Sequence, residues 1–331
     1  MIRSGLTILA CGALATVQDR GRRGALRWGV GLAGAMDDLA LAAGNLLLGN
    51  DADAAGIEVQ VFPLELRFEG ETLLAVTGAD CAATLDGAPV LPWTSTRARS
   101  GSILRLGQPP AARWRGARSY LCIAGGIDVP VVLGSRATQL RGAIGGHEGR
   151  ALVAGDALAV RQPRPAAPPP GTGLVPAGLA LPLDVDSVPA LRVLPAAEYG
   201  RYTQGSHEAF WGEPWRVTPQ SDRYGFRLAG PKLSPLEPME LRSHGIVPGV
   251  IQVPHGGQPI VQMRDAQPSG GYPKIGTVIE ADLWRLGQTP IGGRIRFVET
   301  DWEGALAARD EAARWLAAAG RTLDHLARSA A

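Results

Sequence analysis

The sequence predicts a mainly β protein: two tandem β-barrels with a few short helices and a C-terminal helix. Three observations carry this. Glycine (44) and proline (26) are abundant in the 331 residues, which favours many turns and short strands over long helices. Short β-branched runs bounded by Gly or Pro recur in both halves. Residues 161–190 hold eight prolines and almost no charge after Arg164. Proline at that density prefers extended polyproline backbone and cannot occupy central strands. A linker is therefore expected at 161–190, between a first barrel at 1–160 and a second at 191–300, with a closing helix at 301–331. The halves also echo each other. VQDRGRRGALRWG and PQSDRYGFRLAG both place Gln, then Asp and Arg, then Gly before an Arg-containing strand, as a duplication would.

Composition excludes several functions. With 45% hydrophobic and 19% charged residues the chain should fold and be soluble. The formal charge of +2, with no Arg-rich patch interleaved with aromatics, argues against nucleic acid. The 33 basic residues are arginine except Lys232 and Lys274. Cys11, Cys81 and Cys122 lie far apart with no CxxC and read as small buried apolar residues; no metal site is expected. Near the N-terminus Arg3 and Gly5 interrupt the apolar run and Gln18-Asp19-Arg20 follows, unlike a secretory leader. No apolar run reaches the roughly 20 residues of a membrane span, and a cytoplasmic protein is expected.

In chain order, Leu6–Leu9 is expected as the first strand. A loop dense in Gly and polar groups follows, with Gln18, Asp19 and Arg22 read either as a turn network or as a contact surface. Asp37 is a good N-cap ahead of Leu39, Ala43, Leu46 and Leu47 at helical spacing, and Gly49-Asn50 ends that helix. Ile57, Val59 and Val61, then Leu64, Leu66 and Phe68, alternate as strands with one face inward. Asp86-Gly87 is a tight-hairpin pair. Gly145–Arg150 is glycine-rich but does not match GxxxxGK[ST], so it reads as turn geometry, with His147 a surface-loop histidine. Thr300 and Glu303 have capping-box spacing. The helix beyond places Trp302, Leu306, Ala313, Leu316 and Leu323 on one stripe.

Function is expected in Ser243–Asp282. Gln252, His255, Gln258, Gln262, Arg264, Asp265, Gln267 and Tyr272 crowd around two short apolar strands. So many hydrogen-bonding groups belong near a core only if they converge on one another or on a ligand. Gly270-Gly271 lets the backbone approach something closely or take a positive φ. The stretch is read as the wall and floor of a polar pocket. Asp265 and His244 are the acid–base candidates, with His255 behind them. Asp265 also reads as the counter-ion of Arg264 or Arg223. Arg223 can hold a carboxylate or phosphate in bidentate fashion. Substrate-binding candidates are Arg223, Gln252, Gln258, Gln267, Gly270, Gly271 and Tyr272.

These residues also carry a resemblance. Residues 249–254 (GVIQVP), 257–260 (GQPI), Asp265, Gln267 and 270–275 (GGYPKI) are similar to the pattern of one family. So are TVQDRGRRG from 16, GAMD at 34–37, RSYLCIAGGIDVP at 118–130, LGSRAT at 133–138 and SDRYGFRLAG at 221–230. That family holds the C subunit of bacterial ATP-dependent 5-oxoprolinase, the second subunit of so-called allophanate hydrolases, the carboxyltransferase domain of urea carboxylase and the antagonist of a sporulation-kinase inhibitor. It is often called the biotin-dependent carboxyltransferase family. The resemblance covers nearly the whole chain and implies two tandem cyclophilin-like β-barrels. It implies a component of 5-oxoprolinase, which couples ATP hydrolysis to opening the lactam of 5-oxoproline to glutamate. The A and B subunits of that enzyme would complete the site, ATP would enter at the level of the complex, and the chain alone would be inactive. Such chemistry calls for donors to a developing oxyanion and cations for phosphate.

The same resemblance gives Gln18, Asp19 and Arg22 a role as a shared surface or second site. It also leaves two other readings. One is a regulatory protein that sequesters a B-type partner without turnover. The other is a carboxyltransferase using biotin carried on another protein, since neither lysine lies in an Ala/Val-Met-Lys-Met type site. The chain departs from the family's pattern at Pro195-Ala196-Ala197 (Gly-Pro-Gln), Tyr224 and Phe226 (Met and Tyr), His244 (Glu) and Pro268-Ser269 (Thr-Thr). The last removes one hydroxyl and one backbone donor.

Overall fold

The computed structural model describes residues 5–108 and 116–330. Short strands dominate and helices are few, as expected of a mainly β protein. The chain divides into two compact units. One takes in residues 1–23, 33–180 and 314–331; the other takes in 24–32 and 181–313. No helix among the described residues is long and apolar enough to cross a membrane.

In the first unit a seven-stranded and a five-stranded sheet share one core. Leu64, Leu66 and Phe68 point inward from the larger sheet, and Val17, Ile57 and Leu121 from the smaller. Asp86 (φ 51°) and Gly87 (φ 82°) are both left-handed between Thr84–Leu85 and Ala88–Pro89, the backbone a two-residue hairpin requires. Asp37 caps the helix Asp38–Leu46 by accepting from Ala40 N at 2.9 Å. That helix is tied to the five-stranded sheet by the Thr77 hydroxyl, which donates to Ala40 O at 2.7 Å. Cys81 and Cys122 are buried; burial pushes the Cys81 thiol up to about 11 and the Cys122 thiol higher still. Both are inert packing groups.

His147 is drawn further in than a surface-loop histidine. Its Nε2 lies 3.4 Å from Asp156 Oδ1. Asp156 accepts from Arg150 Nη1 and Nη2, each at 2.8 Å, and from Val153 N at 2.8 Å. The Arg150 bonds hold the Asp156 carboxyl down at about 2. Stability from this group is therefore present above the ordinary Asp pKa of about 4 and lost as pH falls through about 2. Asp156→Asn should melt lower than wild type at pH 7, and the gap should close between pH 4 and pH 2 in thermal denaturation.

In the second unit seven strands close into a barrel. Their order is Val188–Pro195, Lys274–Val278, Val250–Gln252, Ile260–Gln262, Gly225–Ala229, Trp215–Val217 and Arg294–Glu299. The last pairs with the first in parallel, and the other neighbours are antiparallel. Closure pairs both sides of each strand of the ring, and the short strand Asp184–Val185 adds outside it onto Val188–Pro195. Phe210 stacks on Phe297 with centroids 4.7 Å apart, beside the buried Trp215.

Two segments differ from expectation. The proline-rich stretch is partly built into the first unit, whose boundary falls after residue 180. Ser95 N donates to Thr172 O and Gly171 N to Ser95 O, each at 2.8 Å, and Leu174 N donates to Trp93 O at 3.0 Å. Ser95–Ala98 is an outer strand of its sheet, so residues between the prolines cover an edge that would otherwise be open. The C-terminal helix runs Trp302–Ser329. Asp301 caps it, accepting from Gly304 N at 2.7 Å, in place of the Thr300–Glu303 box. Its buried positions are Ala308, Leu323 and Ala327, whereas Trp302 is 67% exposed.

Candidate functional site

The polar stretch of the second unit folds into one layer on the barrel. Ile251 pairs with Val261, and Gln252 with Ile260. Ile251 and Val261 are fully buried in the core, so Gln252 and Gln262 leave from the opposite face. Lys274 stands opposite Gln252 on the next strand, just past a register shift. A two-stranded ribbon covers this face, with His244 opposite Gly270 and Gly245 opposite Ser269. Gly270 is the point of contact: a Cβ there would stand 2.6 Å from Gln252 Nε2. One at Gly271 would stand 2.8 Å from Leu241 O. Neither glycine has a positive φ, so close approach, and not backbone conformation, explains them.

Gln262 Nε2 donates to Gln252 Oε1 at 2.9 Å. His244 Nδ1 lies 2.9 Å from Arg242 O and its Nε2 lies 2.5 Å from Lys274 Nζ. A carbonyl only accepts, so Nδ1 is the donor to Arg242 O and Nε2 is the nitrogen that faces the ammonium. Lys274 Nζ is also 3.5 Å from Glu198 Oε2, which accepts from the Lys274 backbone N at 3.2 Å. Burial, with the Glu198 charge adding to it, pushes the nearby Tyr202 hydroxyl well above its ordinary pKa.

Other candidates are placed differently. Arg223 Nε donates to Asp265 Oδ2 at 3.1 Å and Nη2 to Oδ1 at 3.0 Å, both residues being buried. Asp265 is thus the counter-ion of Arg223, and its acid–base reading gives way because one guanidinium engages both oxygens. The Tyr224 hydroxyl donates to Gln267 Oε1. Gln258 accepts from Gly230 N at 2.9 Å and donates to Gly230 O at 3.1 Å, which pins a loop. Tyr272 is 46% exposed. Gln18, Asp19 and Arg22 are buried in the first unit and form a turn network, not an exposed surface. Gln18 bonds Thr138 O and Gly34 N; Asp19 accepts from Ser135 Oγ and Arg136 N; Arg22 donates to Val132 O and Ala137 O. No group of His, Cys, Asp and Glu suited to a metal occurs among the described residues.

The structure thus gathers Gln252, Gly270, Gly271 and His244 with Gln262, which sequence reasoning placed in the polar stretch but not among the substrate-binding candidates, and adds Lys274 and Glu198, which it did not select. Lys274 had a signal, as one of two lysines in an arginine-rich chain. Glu198 had none. Gly249 holds the layer's framework, donating to Gln262 O at 2.7 Å and accepting from Val278 N at 2.8 Å. Its φ is +97°, and a Cβ would meet Val278 O at 2.3 Å. Gly249→Ala should cost at least about 1–3 kcal/mol, read from urea denaturation.

The solved urea amidolyase of K. lactis superposes with a TM-score of 0.85 at 30% identity, over 94% of this chain and 20% of that one. This chain thus spans about a fifth of that enzyme. Residues 28–299 match the carboxyltransferase domain, subdomain A and B, family, and the chain belongs to it. It is 44% identical to the C subunit of the 5-oxoprolinase of Escherichia coli, over 94% of this chain and 96% of that one. It is 40% identical to the corresponding C subunit of Haemophilus influenzae, over 88% and 90%. A putative urea carboxylase of Emericella nidulans is 29% identical over 95% of this chain and 26% of its own length.

Proposed function

We propose that this chain is the C subunit of an ATP-dependent 5-oxoprolinase, acting in the cytoplasm with the A and B subunits as partners to open the lactam of 5-oxoproline to glutamate. The observation that carries this is the extent of the match. The E. coli relative is covered over 96% of its length at 44% identity, whereas the fungal urea carboxylase is covered over 26% at 29%.

Within that reading Lys274 receives the substrate carboxylate. An ammonium has three N–H groups. One is directed at His244 and one at Glu198, which leaves one for a ligand. His244, tied through Nδ1 to Arg242 O, fixes the direction of that ammonium. The Arg223–Asp265 pair anchors the segment that returns into the ribbon. ATP is assigned to the complex. This chain has no GxxxxGK[ST] sequence, and its Gly145–Gly149 loop packs on its own backbone. Cβ atoms at Gly145 and Gly146 would come within 2.3 Å of Ala137 O and 1.9 Å of Thr138 Oγ1, so close packing accounts for these glycines. Covalent biotin does not suit Lys274, whose side chain is 13% exposed and paired.

The test is co-purification with the A and B subunits, followed by glutamate release from 5-oxoproline. Release should require all three chains and ATP. No release from an intact, folded complex would overturn the proposal.

A further inference from the structure

The Gln252–Gln262 pair is incomplete. Among the described residues, Gln252 Nε2 and Gln262 Oε1 are buried without a hydrogen-bond partner, in side chains of residues only 2% and 4% exposed. Buried donors and acceptors left unmade are costly and rare, and something normally completes them.

What completes this pair is constrained. Two side-chain amides joined by one N–H···O bond leave one NH2 and one C=O, whichever way round each amide is assigned. The missing partner must offer an acceptor and a donor side by side. An open-chain secondary amide is trans and points its C=O and N–H in opposite directions, whereas a primary amide, like a lactam, has an N–H beside its C=O. A small lactam is held cis by its ring and presents both on one edge. The Gly270 backbone packs close over Gln252 Nε2, where a Cβ would stand only 2.6 Å away, so the ribbon covers that atom. One further feature fits such a ligand. Lys274, opposite Gln252, supplies a cation beside the edge.

We infer that Gln252 and Gln262 read the cis-amide edge of a lactam: Gln252 Nε2 donates to the ring carbonyl and Gln262 Oε1 accepts from the ring N–H. The choice of lactam rests on the 5-oxoprolinase reading; the donor–acceptor order rests on the two orphaned atoms. Both atoms lie beneath the ribbon, which pairs over only two residues on each strand, so the ligand reaches them when the ribbon lifts.

Calorimetry on the full chain, alone and with its partner subunits, tests this with three probes. They are 5-oxoproline, its N-methyl derivative and the lactone 5-oxotetrahydrofuran-2-carboxylate, which replaces the N–H by oxygen without added bulk. Wild type should bind 5-oxoproline at least about tenfold more tightly than either analogue, because a site built for an N–H is left unpaired without it. Gln262→Met should abolish that preference, and Gln252→Met should weaken all three, which share the carbonyl. Equal wild-type affinity for lactam and lactone overturns the inference whether or not the variants fold. So does absence of 5-oxoproline binding in both states. A preference that survives in Gln262→Met also overturns it and identifies a buried water as the partner. Turnover with that surviving preference would sink the inference and leave the proposed function standing. Lactam preference without ATP-dependent turnover would do the reverse.

Discussion

Asp282→Ala is expected to lower stability by about 3–5 kcal/mol, the cost of removing one partner from a buried charge cluster. Asp282 is fully buried and accepts from Arg192 Nε and Nη2 at 2.8 Å each, from Arg192 N at 2.9 Å and from Arg285 Nε at 3.1 Å. Burial pulls the Arg285 guanidinium below its ordinary pKa, and Asp282 opposes that pull. The bonds to Asp282 raise Arg192. Without the carboxylate, two guanidiniums confront each other beside the middle of the strand Val188–Pro195. Urea denaturation reads the loss. The double variant Asp282→Ala/Arg285→Met should recover part of it, because one of the uncompensated charges is gone. A loss below about 1 kcal/mol would mean that water reaches and screens the cluster.

Lys274→Met should lower kcat/KM for 5-oxoproline in the reconstituted complex by about ten- to a hundredfold, the range of a hydrogen bond to a charged group. Lys274→Arg should not rescue it. A planar guanidinium cannot serve His244, Glu198 and a ligand in the three directions an ammonium can. Glutamate release against 5-oxoproline concentration measures both. Activity within twofold of wild type in Lys274→Met would remove this lysine from the site.

Local rules were legible in the sequence. The alternation from Leu64 to Phe68, the Asp37 cap and the Asp86-Gly87 turn each need only neighbours a few residues away, and each occurs as expected. The crowding of polar groups around Gln252 lies on the strands that carry the Gln252–Gln262 bond. Partners were less legible. The Arg223–Asp265 pair was one of two counter-ion readings, and nothing in the sequence joined His244 to Lys274, 30 residues apart, or Glu198 to Lys274, 76 apart. Periodicity says which face a side chain leaves from, but not which strand lies beside it or in what register. The helix cap was missed by one position because Thr300 and Asp301 are both good capping residues. Tertiary geometry chose between them. The proline-rich stretch misled because composition describes its backbone preference and says nothing of the open strand its remaining N–H groups could cover.

The parallel seam of the second barrel bears on how the protein is made. Ala190 lies opposite Arg296, about a hundred residues later. At translation rates of about 5–20 residues per second, the earlier strand waits roughly 5–20 s at the ribosome before its neighbour emerges. Nascent chains that stop short of Arg294 carry an unsealed apolar sheet, and in a cell they are clients for chaperones or proteases before they are candidates for subunit assembly.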